Sequence, residues 1–289
     1  MKPLNVALVV KHSSTSVRER DCRNMGYWSY GVPEFEWTHF DGFGPASELN
    51  EFDLVVQEDA GPKRYSGLTV PLVYVAIDTT LSPDHLESRL PRAANADLIL
   101  VDHGPLEDFY PLDKPVMRWN YCVNDNLMRD YGEGRDIDVS FHCGGRNSEE
   151  RQRLRLLLSE YCEDNGLTFA SGVLHPTDYA RSMARSKIVV NWPRHPNNRP
   201  HRVFDAMACG ACLVTGRLPK VAGDYLLLGL DELQQVDKLE DVTLAIKYML
   251  DTGKWEELAQ KGQRFIARYH TWAIRARQLR EIIKSELGL

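Results

Sequence analysis

The chain has 289 residues, 43% of them hydrophobic, with 35 Lys and Arg against 41 Asp and Glu, a formal net charge of -6 and a pI near 5.9. That length is enough to bury two modest cores and favours two domains. Basic residues are spread without a like-signed run, which disfavours nucleic acid as the main partner. No stretch reaches the roughly 18 apolar residues that a spanning helix needs.

Asn5 to Val10 is a continuous apolar run that stops at Lys11-His12 without a small-residue cleavage site. It reads as a buried parallel strand and not a leader, and a cytoplasmic location is expected. A helix is predicted over Thr15 to Tyr27, then strands over Glu36 to Phe40, Asp53 to Gln57, Pro71 to Ile77 and Asp97 to Val101. Three of these strands close on acidic or imidazole groups, Glu58-Asp59, Asp78 and Asp102-His103. Ligands in open α/β sheets gather at such carboxyl ends, although Asp after a strand is more often a turn residue. A sixth strand is expected over Lys114 to Trp119. The polar, glycine-containing Asn120 to Arg135 marks a domain boundary.

A second alternating series follows: strand Asp138 to Cys143, the Gly144-Gly145-Arg146 turn, an amphipathic helix Glu149 to Cys162, strand Thr168 to Val173, helix Thr177 to Arg185 and strand Lys187 to Trp192. Such alternation implies a parallel sheet with helices on both faces. Asp136-Ile-Asp138 has metal-ligand spacing, but it leads into a strand and reads as entry polarity. Helices are predicted over Glu240 to Leu250, Trp255 to Tyr269 and Trp272 to Leu287. Six scattered cysteines read as reduced thiols, and Cys209-Gly-Ala-Cys212 closes a helix where a redox pair would open one.

The series is organised around Asn197 to Gly216, which reads as loop, short helix, glycine stop and buried strand. Pro200 suits a first helical turn and Gly210 the residue just past the last. The N-terminus of that helix, with His201 and Arg202 beside it, suits an anion such as phosphate. Asp205, one turn further and near an exposed first turn, is placed to accept hydrogen bonds from sugar hydroxyls.

The run Arg202-x-Phe-Asp-Ala-Met-Ala-Cys-Gly210 resembles the donor-binding element of GT-B glycosyltransferases, where Glu-Ala-Met-Ala-x-Gly is usual. It is most similar to the spore-maturation CgeB-like branch and to family 4 enzymes. The resemblance spans roughly residues 137 to 289, including His270-Thr271-Trp272 followed by Arg275. It implies an α/β fold of GT-B architecture: two Rossmann-like parallel-sheet domains facing a cleft, with a C-terminal helix crossing back to the first domain. The expected boundaries are 1–125 on the acceptor side, 136–270 for the donor nucleotide and 271–289 for the crossing helix.

The same resemblance implies a metal-independent, hexosyltransferase-like enzyme that moves a sugar from a nucleotide-diphosphate sugar to an acceptor hydroxyl with retention. No cofactor is expected besides that donor. Two donor-contacting acids stand eight residues apart in family 4: Asp205 falls at the ribose position, and the neutral Asn197 at the sugar position. Arg146 matches an Arg used on the diphosphate. The Lys that usually follows it is missing, which leaves Arg202, Arg194 or Lys220 as the candidate substitute. Base selectivity would sit in the loop Gly172 to Pro176, with His175 among the donor-binding candidates. His12, Asp78 and His103 are the candidates for positioning or deprotonating an acceptor: a glycan, a small molecule or, less favoured, a modified phage DNA base. A sugar-nucleotide epimerase and a non-catalytic nucleotide-sugar binding protein are the alternatives that fold alone leaves open.

Overall fold

The computed structural model describes residues 2–10, 32–41, 44–59, 65–77, 82–102, 104–143, 148–194, 200–218 and 233–289. The chain divides into two compact units, Met1–Tyr121 with Trp272–Leu289, and Cys122–Thr271. The predicted helix over Thr15 to Tyr27 lies outside the described residues.

The first unit is built on six strands: β1 (Leu4–Val10), β2 (Phe35–Asp41), β3 (Leu54–Glu58), β4 (Leu72–Ala76), β5 (Leu98–Val101) and β6 (Val116–Arg118). All pair in parallel, in the order β2-β1-β3-β4-β5-β6. The runs Leu54-Val55-Val56 and Leu98-Ile-Leu-Val101 are buried along their whole length, as strands covered on both faces must be. Two helices occupy segments for which the sequence reading predicts none: the single turn α1 (Ala46–Leu49) and α2 (Pro83–Ala93), whose Leu86, Leu90 and Ala93 stand at helical spacing. Ser82 caps α2 by accepting from the His85 N–H at 3.3 Å, with Pro83 in the first turn.

The second unit contains β7 (Ile137–Phe141), α3 (Glu149–Asp164), β8 (Phe169–Ser171), α4 (Pro176–Ala184), β9 (Ser186–Asn191), α5 (Arg202–Ala208), β10 (Cys212–Gly216), β11 (Gln234–Val236), α6 (Asp241–Thr252) and α7 (Lys254–Tyr269). Its five parallel strands are ordered β11-β10-β9-β7-β8. The strand order reverses at β7, which has β8 on one side and β9 on the other. The carboxyl ends of β7 and β9 therefore open onto a topological switch point, where open α/β sheets hold ligands. One core of this unit packs α3, α6 and α7 side chains, among them Leu154, Leu158, Ile246 and Leu258, on Phe141, Ile188 and Val214.

The segment Cys122 to Arg135, expected as part of a boundary, is folded onto the second unit. The Val123 N–H donates to His270 O at 2.8 Å. The Arg135 guanidinium donates to the carbonyls of Ala184 at 2.8 Å, Ser186 at 2.7 Å and Cys209 at 3.2 Å. One side chain thus satisfies carbonyls at the ends of α4 and α5, groups that a helix cannot satisfy itself, and one at the start of β9. Sequence periodicity carries no trace of such a contact.

The last helix, α8 (Trp272–Leu287), belongs with the first unit and buries Trp272, Ala276, Leu279 and Ile283 there. Among the described residues no helix is long and apolar enough to cross a membrane.

Candidate functional site

The short helix α5 follows a turn at Pro200 and His201 and is almost wholly buried from Val203 to Ala208. Small residues let it lie close to its neighbours. Gly262 of α7 faces Met207 so closely that an added Cβ would stand 2.9 Å from its side chain. Gly210 ends the helix at φ +71°, and a Cβ there would be 2.6 Å from Arg135 Nη2. The positive φ is what calls for glycine at that position, and a side chain there would also displace the Arg135 guanidinium.

Four predicted donor residues are described. His201 stands at the start of α5 and His175 at the start of α4, at the end of the loop that leaves β8. Arg202 and Asp205 lie one turn apart on α5. Arg202 donates Nη1 to Asn191 Oδ1 at 3.0 Å, and Asn191 donates Nδ2 to Thr215 Oγ1 at 2.9 Å. That chain crosses the carboxyl ends of β9 and β10.

Asp205 departs from its expected exposure: it is only 3% exposed. Its Oδ2 accepts from the half-buried Tyr179 hydroxyl at 3.3 Å, and Oδ1 is buried without a hydrogen-bond partner. The physical reason is that α5 is too short and too tightly packed to keep an open face. Burial pushes the carboxyl up to about 7, against the pull of Arg202 and the Tyr179 hydroxyl.

Three side chains that the sequence reading did not single out join this region. His142, just past β7, is 2% exposed, with Nε2 2.8 Å from Ser182 Oγ, and its ring stands edge-on to Tyr179 at 5.9 Å. Burial first, then the charge of Arg202, push its pKa down to about 4, so the imidazole is neutral at physiological pH. Arg151, in the first turn of α3, donates Nε and Nη2 to Trp192 O at 2.9 and 2.6 Å. Burial and the charge of Arg202, with a smaller effect of Arg194, lower its pKa to about 10, so it keeps its proton. Arg151 and Arg202 thus both bond at the carboxyl end of β9, to Trp192 O and Asn191 Oδ1, and Arg194 follows two residues beyond Trp192. The available sequence signal was weak: Arg151 follows Arg146 by five residues, and Tyr179 sits at a spacing typical of core.

Arg146, Asn197, Lys220, His12, Asp78 and His103 lie outside the described residues. The acidic rim of the first sheet is partly structural. Asp59 accepts from the Tyr74 hydroxyl at 2.9 Å and pairs with Arg89 at 2.6 Å. Asp102 accepts from the Tyr121 N–H at 2.7 Å. The Asp136 and Asp138 pair lies at the amino end of β7. Asp136 pairs with Arg185, and Asp138 pairs with Lys187 at 2.6 Å while accepting from the Thr168 N–H at 2.8 Å. Among the described residues no group of three or more His, Cys, Asp and Glu could hold a metal. Cys209 and Cys212 are buried and form no disulfide.

A separate cleft of about 330 Å³ is lined by Val123, Met128, Arg129, Ala208, Arg264 and Ile266. It sits by the C-terminal end of α5, away from the strand carboxyl ends, and holds none of the predicted residues.

Two Rossmann-like parallel-sheet units, with a basic cluster at the switch point of the second and the last helix counted with the first, define an α/β protein of the GT-B class. The chain belongs to the glycosyl transferase-like family, whose model matches residues 130–281, just over half of its length. It is similar in structure to HepE (Alr3699) of Anabaena in complex with UDP-glucose, with a TM-score of 0.66 and 13% identity over 98% of this chain and 100% of that one. Sucrose-phosphate synthase of Thermosynechococcus elongatus gives a TM-score of 0.63 and 13% identity over 99% of each chain. An alpha-glucosyltransferase in complex with UDP-glucose and DNA containing an abasic site gives 0.61 and 10% identity over 98% and 100%. No curated protein matches the sequence. At these identities the likeness to solved structures establishes the fold.

Proposed function

We propose that this glycosyltransferase moves a sugar from a UDP-sugar to an acceptor hydroxyl, with retention of anomeric configuration and without a bound metal. The observation that carries the reading is that Arg151 and Arg202 are both held at the carboxyl end of β9, by Trp192 O and Asn191 Oδ1, with Arg194 two residues further along the chain. Like charges gathered there are costly unless an anion joins them, and a diphosphate is the anion that such a transfer must stabilise. As the glycosidic bond breaks, charge grows on the leaving diphosphate, and fixed guanidiniums meet it without reorganisation. Arg146, five residues before Arg151, would add a fourth cation. Uridine is favoured because two similar structures are bound to UDP-glucose.

Asp205 would answer the ribose, and Asn197, His175 and His201 would complete the donor side. His12, Asp78 and His103 follow β1, β4 and β5, strands that lie on one stretch of the first sheet, and would position the acceptor hydroxyl or take its proton. A DNA acceptor is a second reading. It draws on the similar alpha-glucosyltransferase in complex with DNA, against the net charge of -6.

The test is a thermal-shift panel of UDP, ADP and GDP and their sugars, followed by incubation of the stabilising sugar nucleotide with glycan, small-molecule and DNA acceptors. A ligand at 100 times its Kd stabilises by about 2.7 kcal/mol. Stabilisation by UDP and its sugar, with an α-linked product from an α-linked donor, is the expected result. Stabilisation by none of them sinks the reading.

A further inference from the structure

Helix α5 itself carries buried polar atoms whose hydrogen bonds are incomplete. Asp205 Oδ1 and Arg202 Nε are both buried with no hydrogen-bond partner among the described residues. Buried polar groups are almost always paired, so each unpaired one marks a place where something else donates or accepts. For Asp205 the arrangement is specific. Tyr179, from the neighbouring helix α4, donates to Oδ2 at 3.3 Å and leaves the buried Oδ1 as the carboxyl oxygen without a partner. Asp205 also sits one turn behind Arg202, whose guanidinium belongs to the basic cluster at the switch point.

We propose that Tyr179 is a positioning residue for donor binding: its hydroxyl holds Asp205 Oδ2, so that Oδ1 is presented to a ribose hydroxyl and the bound nucleoside competes with a proton on Asp205. The inference deepens the proposed function and rests on it. The titratable or charged groups that act on Asp205 are Arg202 from its own helix and Tyr179 from α4. Asp205 in turn raises the Cys209 thiol. His142 stands behind Tyr179 and is neutral, and beyond Arg202 the strands present the uncharged Asn191 and Thr215.

The sign follows from the chemistry. A ribose hydroxyl donating to Oδ1 favours the carboxylate, so binding expels a proton wherever Asp205 holds one. With its carboxyl pushed up to about 7 by burial, Asp205 holds one through the mildly acid range. Donor affinity then falls as pH drops below that value, by up to about tenfold for each unit. Replacing Tyr179 with Phe removes a donor that favours the carboxylate and moves the break to higher pH.

Calorimetric titration with UDP-glucose tests this, because its diphosphate diester carries the same charge from pH 5.5 to 8.5. Wild type, Tyr179→Phe and Asp205→Asn are compared across that range, with circular dichroism at each pH to show that the fold is kept. The expected result is at least a tenfold loss of wild-type affinity between pH 8.5 and 5.5, a flat profile for Asp205→Asn and a break at higher pH for Tyr179→Phe. A flat wild-type profile, or a slope that survives in Asp205→Asn, overturns the proton linkage. A Tyr179→Phe profile identical to wild type overturns the positioning role. Those outcomes leave the nucleotide-sugar reading standing. No binding of UDP-glucose, ADP-glucose or GDP-mannose by folded wild type at pH 8.5 overturns both.

Discussion

At Gly210 the backbone turns left-handed, φ +71°, in a space closed by Arg135. An alanine there would carry about 1–2 kcal/mol for the backbone alone and would push the guanidinium off the Cys209 carbonyl. Gly210→Ala should therefore lower the urea midpoint at unchanged m value, by more than that backbone cost implies. Asp205 acts on stability through pH. A free aspartate titrates near 3.9, whereas burial raises Asp205 to about 7, so between those values the native state holds more protons. Stability accordingly falls as pH rises through that window, and the cost is complete above about 7. Asp205→Asn should gain thermal stability over wild type at pH 8 relative to the difference at pH 5, read by calorimetry at the two pH values. Arg151 and Arg202 answer charge and not the base. Alanine at either should cost about 1.5–3 kcal/mol of UDP affinity while uridine affinity stays within twofold, and equal losses for both ligands would remove their diphosphate role.

The entrance of β7 decides the part played by the only closely spaced acidic pair that the sequence offered as a metal site. Asp136 and Asp138 face Arg185 and Lys187 at the amino end of the strand, while the switch point lies at the carboxyl end. Magnesium wants several oxygen ligands together, and these carboxylates already have cations and N–H groups. Asp138→Asn should lower the melting temperature, through loss of the Lys187 pair and the Thr168 bonds, with turnover changed less than threefold. Wild-type turnover should also survive excess EDTA. A loss above about tenfold, or 1.4 kcal/mol of barrier, that magnesium or manganese restores would return the pair to the active site.

At the scale of the whole chain, the last helix is part of the first unit although 150 residues of the second unit precede it. Trp272, 3% exposed, places its ring 6.2 Å from Trp37 of β2. Trp272→Ala should cost about 3–5 kcal/mol by urea unfolding, the usual range for emptying a large buried aromatic site. A cost under 1 kcal/mol would show that α8 adds little to the first unit.

Sequence alone determined the alternation of buried runs and amphipathic helices, because a parallel sheet covered on both faces leaves continuous apolar runs at strand spacing. It also marked the α5 element, since Pro200 and Gly210 have local conformational reasons to stand at helix ends. Two helices of the first unit were not predicted: α1 is a single turn, too short to show a period, and α2 carries Leu86, Leu90 and Ala93 at helical spacing but also Pro91, a residue that argues against a helix interior. Asp205 was legible as a candidate but not as a buried one. Its burial depends on α7 pressing Gly262 against Met207 and on Tyr179 arriving from α4, contacts made between residues far apart in sequence. Arg135, His142 and Arg151 were invisible for the same reason. A guanidinium or imidazole carries no periodic signature, and only the folded chain determines which carbonyls, hydroxyls and charges surround it.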